Sequence, residues 1–195
     1  SEFIILDDNG VERPTRHCGQ IYLKGPSVMR GYFHDKQSTS EVLSDDGWLN
    51  TGDIGYRIDN HLVITSRSKD VIIIKGRNIW PYDLEVLAQQ TCGVKLGGVA
   101  AFSVSLDNSE EQAVLVVETK EKDPDSRRHI IEDISQSIHA HFGINVQIDL
   151  TPRGTLPRTS SGKLSRSQSK QDYLARKTLS DVKQSAIKAG EKLSA

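Results

Sequence analysis

Three separated stretches carry the side chains able to do chemistry. "LPRTSSGKLSR", Leu156 to Arg166, holds one lysine, Lys163, among small residues with arginines on both sides. An ammonium group presented on such a loop can meet a negatively charged reacting group, although most loop lysines are only solvated. "WLNTGDIG" places Asp53 in a tight, glycine-flanked turn, where its carboxylate can accept hydrogen bonds from a vicinal diol. A turn aspartate that satisfies nearby backbone amides gives the same local pattern. "SRSKDVIIIKGRN" sets Arg67, Lys69 and Asp70 close together and ends near Gly76. Those charges read equally well as a solvated linker. Gly76 either admits a ligand close to the backbone or simply makes a turn.

Other catalytic patterns fail on single residues. "SSGKLS" is not a phosphate-binding P-loop, because Pro157 stands where its first glycine belongs and Leu164 replaces the metal-binding hydroxyl. His139 and His141 of "HAH" are two residues apart, which puts their rings on different faces of a helix, so they are read as solvated and no metal site is expected. There is no Cys-x-x-Cys and no Gly-x-Ser-x-Gly.

Composition narrows the class. The 195 residues are 36% hydrophobic and 26% charged with a net charge of -1, an ordinary globular balance with no basic excess for bulk nucleic-acid binding. Cys18 and Cys92 are the only cysteines, so a reducing, cytoplasmic setting is expected rather than a disulfide framework. No apolar run approaches membrane-spanning length.

The elements that must position the three stretches fall into two textures. Up to the "SRSKD" stretch the chain reads as short strands and turns. "FIILDDNGV", "CGQIYLKGPSV" and the run from "STSEVLSDDG" to "HLVITSR", with "DNH" as a hairpin turn, suggest an antiparallel sheet or small barrel. Beyond it, "DVIIIKG" reads as a buried strand. "NIWPYDLEVLAQQ" reads as a helix with Pro81 near its start and Trp80, Leu84, Leu87 and Ala88 on one face. "GGVAAFSVSL" and "EQAVLVVETK" are strands around the turn "DNSEE". "SRRHIIEDISQSIHAHF" is a helix with Ile130, Ile134, Ile138 and Phe142 at i,i+4 steps, and "NVQIDL" is a last strand. The order β-α-β-β-α-β predicts a compact α+β domain, with a boundary close to Arg67–Asp70 and a polar, helix-permissive tail.

In this order and spacing the stretches resemble the adenylate-forming superfamily of acyl-CoA synthetases, fatty acyl-AMP ligases, luciferases and peptide-synthetase adenylation domains. "GQIYLKGPSVMRGYFHDKQST" is similar to its Gly-Tyr motif, "GWLNTGD" to its Thr-Gly-Asp motif and "SRSKDVIIIKGRNIWPYDLE" to its hinge motif. "LPRTSSGKLSR" resembles the closing lysine motif almost throughout. Ser66, Lys36, Lys69 and Ile73 depart from the common residues (glycine, proline, aspartate and lysine, respectively). The resulting hinge stretch is most similar to the fatty acyl-AMP ligase branch.

The resemblance implies an α+β fold in which residues 1–66 are the strand-rich end of a large domain's β-barrel subdomain. Residues 67–178 would be the mobile C-terminal domain, and 179–195 a polar tail. It implies Lys163 as the catalytic lysine, Asp53 and Arg67 at the nucleotide's ribose hydroxyls, Lys69 as hinge and Gly76 along the acceptor channel. ATP and Mg2+ are the implied cofactors, the metal held mainly by the upstream domain that also carries the phosphate loop and acyl pocket. This chain alone is therefore expected to be inactive as a ligase. The implied partners are a long-chain fatty acid and an acyl carrier protein, with coenzyme A as the alternative acceptor. A rival reading is a non-catalytic module that docks an acidic carrier protein. From Thr151 to Lys177 there are seven Lys and Arg (Arg153, Arg158, Lys163, Arg166, Lys170, Arg176, Lys177) against Asp172 alone.

Overall fold

A computed structural model describes residues 1–105 and 111–178. It divides between Val71 and Ile72 into two compact units. Arg67, Lys69 and Asp70 thus end the first unit, and Gly76 and Lys163 belong to the second.

The first unit is a four-stranded antiparallel meander in the order β1-β2-β3-β4, formed by β1 (Glu2–Leu6), β2 (Gly19–Lys24), β3 (Leu49–Ile58) and β4 (His61–Arg67). The "DNH" turn is there. Ile58 pairs with His61, and Asp59 takes the positive φ of 51° that a tight two-residue turn requires. The strand pattern does not run unbroken through "STSEV", however. That stretch is a helix, α1 (Lys36–Val42), because the Asp35 carboxylate accepts from the Ser38 amide at 2.9 Å and its hydroxyl at 2.7 Å. Such a cap satisfies an orphan N–H and starts a helix in a segment with little apolar periodicity. Apolar burial is thin in this unit, with Ile5 and Ile21 alone falling below a tenth exposure.

The second unit holds the larger core and has the expected α+β order with two additions. "DVIIIKGRNI" is a hairpin, β5 (Ile72–Ile74) with β6 (Arg77–Ile79), rather than one strand. Lys75 and Gly76 both have positive φ, 51° and 74°, the signature of a type I′ turn, in which glycine relieves strain at one of two left-handed positions. Next come α2 (Pro81–Ala88) with proline in its first turn, then β7 (Val94–Val104), β8 (Gln112–Thr119), α3 (Pro124–Phe142) and β9 (Val146–Pro152). β8 is central, antiparallel to β7 and parallel to β9. α3 supplies the long crossover that a parallel pair needs. The second addition is a helix over residues 166–178, α4.

This sheet is covered on both faces, which explains its continuous apolar strands. Ala113, Leu115 and Val117 of β8 share one core with Leu84 and Ala88 of α2 and with Ile130, Ile134 and Ile138 of α3. Val114 and Val116 point the other way and pack with Phe102, Leu156 and Tyr173 of α4. The period-two alternation of a strand places adjacent valines in opposite cores. The predicted face of α3 is the buried one, with Phe142 packed partly against it. The turn at "DNSEE" lies largely outside the described residues, and the polar tail entirely so. No helix among the described residues is long and apolar enough to cross a membrane.

Candidate functional site

In the first unit the structure brings Asp53 and Arg67 together. They are cross-strand partners on β3 and β4, and Arg67 Nε lies 3.2 Å from Asp53 Oδ1. Asp53 does not stand in a turn. It sits within β3, where the three residues between Asn50 and Ile54 oppose one residue, Ile21, on β2. The bulge is built by short polar side chains. Asn50 Oδ1 accepts from the Gly52 amide, while Thr51 Oγ1 donates to the Ile21 carbonyl and accepts from the Asp53 amide. Gly52 takes a φ of 70°, which a side chain would resist. A bulge re-aims the residues that follow it. Here it presents a carboxylate about three-quarters buried beside a largely exposed guanidinium, an acceptor and a donor side by side, chemically able to bond adjacent hydroxyls. Lys69 is exposed in the short 3₁₀ turn Ser68–Asp70 that follows β4.

In the second unit the Lys163 stretch is an ordered tight turn rather than a loose loop. Arg158 and Leu164 pair as an isolated antiparallel bridge. Inside it, the Thr159 amide donates to the Lys163 carbonyl at 2.8 Å, the Gly162 amide to the Thr159 carbonyl at 2.8 Å, and the Lys163 amide to Thr159 Oγ1 at 3.2 Å. Arg158 pins the turn, with Nη1 on the Gly162 carbonyl (3.0 Å) and Nη2 on the Gly97 carbonyl of β7 (2.6 Å). Both ends are anchored too. Upstream, the Glu118 carboxylate, 2% exposed, accepts from the Gly154 and Leu156 amides at 2.8 and 3.0 Å and pairs with Lys95 at 3.1 Å. Downstream, Arg166 makes a two-pronged pair with buried Glu85, 2.7 Å at each contact, and Glu85 also accepts from the Ala101 amide. Paired forks of this kind fix geometry as well as charge.

The cations of "PRTSSGKLSR" therefore separate by task. Arg158 holds carbonyls and Arg166 holds Glu85, whereas the Lys163 side chain is exposed and has no partner among the described residues. Arg176 likewise pairs with Asp149 at 2.7 Å. Three of the seven cations in the basic stretch thus serve the fold. Gly76 occupies its hairpin turn with open space where a Cβ would be, and Arg77 Nη1 ties that hairpin to the Phe142 carbonyl at the end of α3, at 2.8 Å. His139 and His141 are exposed at the end of the same helix, and no group of three metal-ligating side chains occurs among the described residues.

Glu85, Glu118 and Arg77 are supporting residues that local pattern did not single out, and Arg158 stood in the sequence only as one cation of the basic stretch. The one signal for Glu118 is a carboxylate closing the apolar run "AVLVVE", and for Glu85 a carboxylate next to Leu84 on a buried helix face.

No family model matches the chain. It is 45% identical over 172 residues to a Caulobacter vibrioides protein bearing the name acyl-CoA synthetase, covering 88% of this chain and 30% of that protein. The long-chain-fatty-acid–AMP ligase FadD32 of Mycolicibacterium smegmatis is 32% identical over 214 residues, covering 88% of this chain and 34% of its own length. A solved structure from a study of fatty acyl-adenylate ligases of E. coli and L. pneumophila superposes with a TM-score of 0.80 at 37% identity, over 91% of this chain and 31% of that one. The chain belongs to the adenylate-forming superfamily. It matches the C-terminal portion of these enzymes and spans about a third of the length of the relatives it matches. The resemblance of the chain to that superfamily is thus supported along most of its length.

Proposed function

We propose that the full-length protein activates a long-chain fatty acid with ATP, forming an acyl-adenylate, and passes the acyl group to an acyl carrier protein. The observation that carries this reading is the braced turn that holds up Lys163 as its one uncommitted cation. Joining a carboxylate to the α-phosphate of ATP brings two anions together. A preorganised ammonium offsets that repulsion and stabilises charge growing on the phosphoryl oxygens, and it acts most strongly where water is excluded. Asp53 and Arg67 would take the ribose hydroxyls as acceptor and donor. Mg2+ would be held by the ATP phosphates and by residues outside this chain.

Coenzyme A as acceptor is the second reading, favoured by the acyl-CoA synthetase name of the 45% identical relative. An assay of the full-length protein with a preformed acyl-adenylate, offering carrier protein and coenzyme A in parallel, separates the two. We expect carrier-protein acylation to dominate, and a clear preference for coenzyme A would reverse the assignment. The docking-module reading loses ground because Arg158, Arg166 and Arg176 are engaged within the fold.

Lys69 would act as the hinge, since the 3₁₀ turn that contains it directly precedes the division at Val71. Proline there would hold φ near about -65° and constrain Ser68 as well. In the full-length protein, Lys69→Pro is expected to slow acyl transfer more than adenylation, because transfer follows a reorientation. Unchanged rates in both half-reactions, with folding verified by circular dichroism, would remove Lys69 from that role.

A further inference from the structure

The parallel strands β8 and β9 end side by side, with Thr119 opposite Pro152. The chain just beyond them forms a cleft of about 440 Å³ that includes Lys120, Lys122, Arg127 and Arg153. Four cations thus border one cleft, and the single carboxylate lining it is that of Glu121.

The nearby acids are directed elsewhere. Glu121 Oε1 accepts from the Lys122 and Asp123 amides at 3.0 and 3.3 Å. Asp123 caps α3 through the Ser126 amide and hydroxyl, both at 2.8 Å, and the amide bond above all holds its carboxyl below the usual range. Asp125 pairs with Arg128. The helix start is therefore already capped and supplies no site of its own.

Arg127 is fixed in place, with Nη1 on the Glu121 carbonyl at 3.1 Å and Nη2 on the Leu150 carbonyl at 3.0 Å. Both acceptors are neutral, so its charge is oriented without being compensated. Lys120, Lys122 and Arg153 make no ion pair or side-chain hydrogen bond with any described residue. The contrast with Arg158, Arg166 and Arg176 is direct, since each of those has a partner in the fold.

Like charges held around a common cleft repel one another, and an anion that bridges them relieves the repulsion. Lys120 and Arg153 leave adjacent strands, whose backbones run about 4.8 Å apart. Four cations around one cleft suit the higher charge of two linked phosphate groups better than that of one. We propose that this cleft binds a diphosphate group, either free or carried by a nucleotide. The proposal does not depend on the adenylation reading, because none of its residues belongs to the motifs that support it.

The test is titration of inorganic pyrophosphate and, separately, ADP into the isotope-labelled 195-residue chain, followed through its amide resonances. Saturable shifts are expected in residues 119–123 and 153–154, weakening as salt screens the cations. Shifts from pyrophosphate alone would assign the free anion, and tighter binding of ADP would assign a nucleotide. The double variant Lys122→Glu/Arg153→Glu should bind at least about tenfold more weakly, as expected for losing charge-assisted contacts. The neutral pair Lys122→Gln/Arg153→Gln should fall between, and Lys163→Ala should bind as the parent does. No saturable shift at these residues with either probe, or equal affinity in the charge-reversed chain, would overturn the proposal. So would loss of binding in Lys163→Ala alone, which would place the anion at the lysine turn instead.

Discussion

Lys163→Ala in the full-length protein is expected to slow adenylate formation by on the order of a hundredfold to a thousandfold. Acyl transfer from a supplied adenylate should remain near its original rate. The size follows from removing one preorganised charge partner from a developing phosphoryl charge. The selectivity follows from the turn itself. Its internal bonds run through the Lys163 amide and carbonyl, and through Thr159 and Arg158, none of which the substitution removes. The side chain is exposed and makes no hydrogen bond or ion pair with a described residue, so the thermal midpoint should not move. The two half-reactions must be timed separately. Equal loss in both, or a lowered midpoint, would make Lys163 a structural residue.

Glu118→Ala should destabilise the second unit by about 3–5 kcal/mol, the range for breaking a buried charge pair by removing one partner. Truncation leaves the Gly154 and Leu156 amides without their acceptor and Lys95 without its counter-ion. Burial by itself would raise the Glu118 carboxyl pKa, but the Leu156 amide, Lys95 and the Gly154 amide outweigh it, and the net direction is below the ordinary value of 4.5. The folded state therefore favours the carboxylate. Its contribution is fully present above the ordinary pKa and is lost as pH falls through the lower, folded value. Denaturant melts of the 195-residue chain between neutral and acid pH check both points. Glu118→Ala should show a large loss at neutral pH that shrinks in acid. Glu118→Gln, which keeps an acceptor oxygen, should lose less and show a flatter acid limb. A neutral-pH change below about 1 kcal/mol for the alanine variant, typical of an exposed pair, would remove Glu118 as the anchor of the lysine turn.

Much of the second unit was legible in the sequence because its signals are local and repeated. The isoleucines of α3 recur at helical spacing, Pro81 opens α2, and the valines of β8 form a run too short for a helix and too apolar for a loop. Devices that span one to three residues or depend on distant partners were harder to see. α1 rests on the cap at Asp35 rather than on an apolar face, and β5 and β6 have three residues each. The start of α4 has only a few inward positions, such as Ser169 and Tyr173, among polar neighbours. Asp53 was recognisable by motif, yet its place in a strand bulge depends on Gln20, Ile21 and Tyr22, some thirty residues earlier. The order of the lysine turn was hidden for the same reason. Gly97 and Glu118, which hold it, come 61 and 36–38 residues from their partners in the chain. No local window contains both ends.

The most direct test of the central reading is ATP–pyrophosphate exchange by the full-length protein with a series of fatty acids, in parallel with Lys163→Ala. Exchange that requires a long-chain acid and collapses in the variant is expected. Exchange absent with every acid from a folded, full-length protein, or undiminished without the Lys163 ammonium, would contradict that reading.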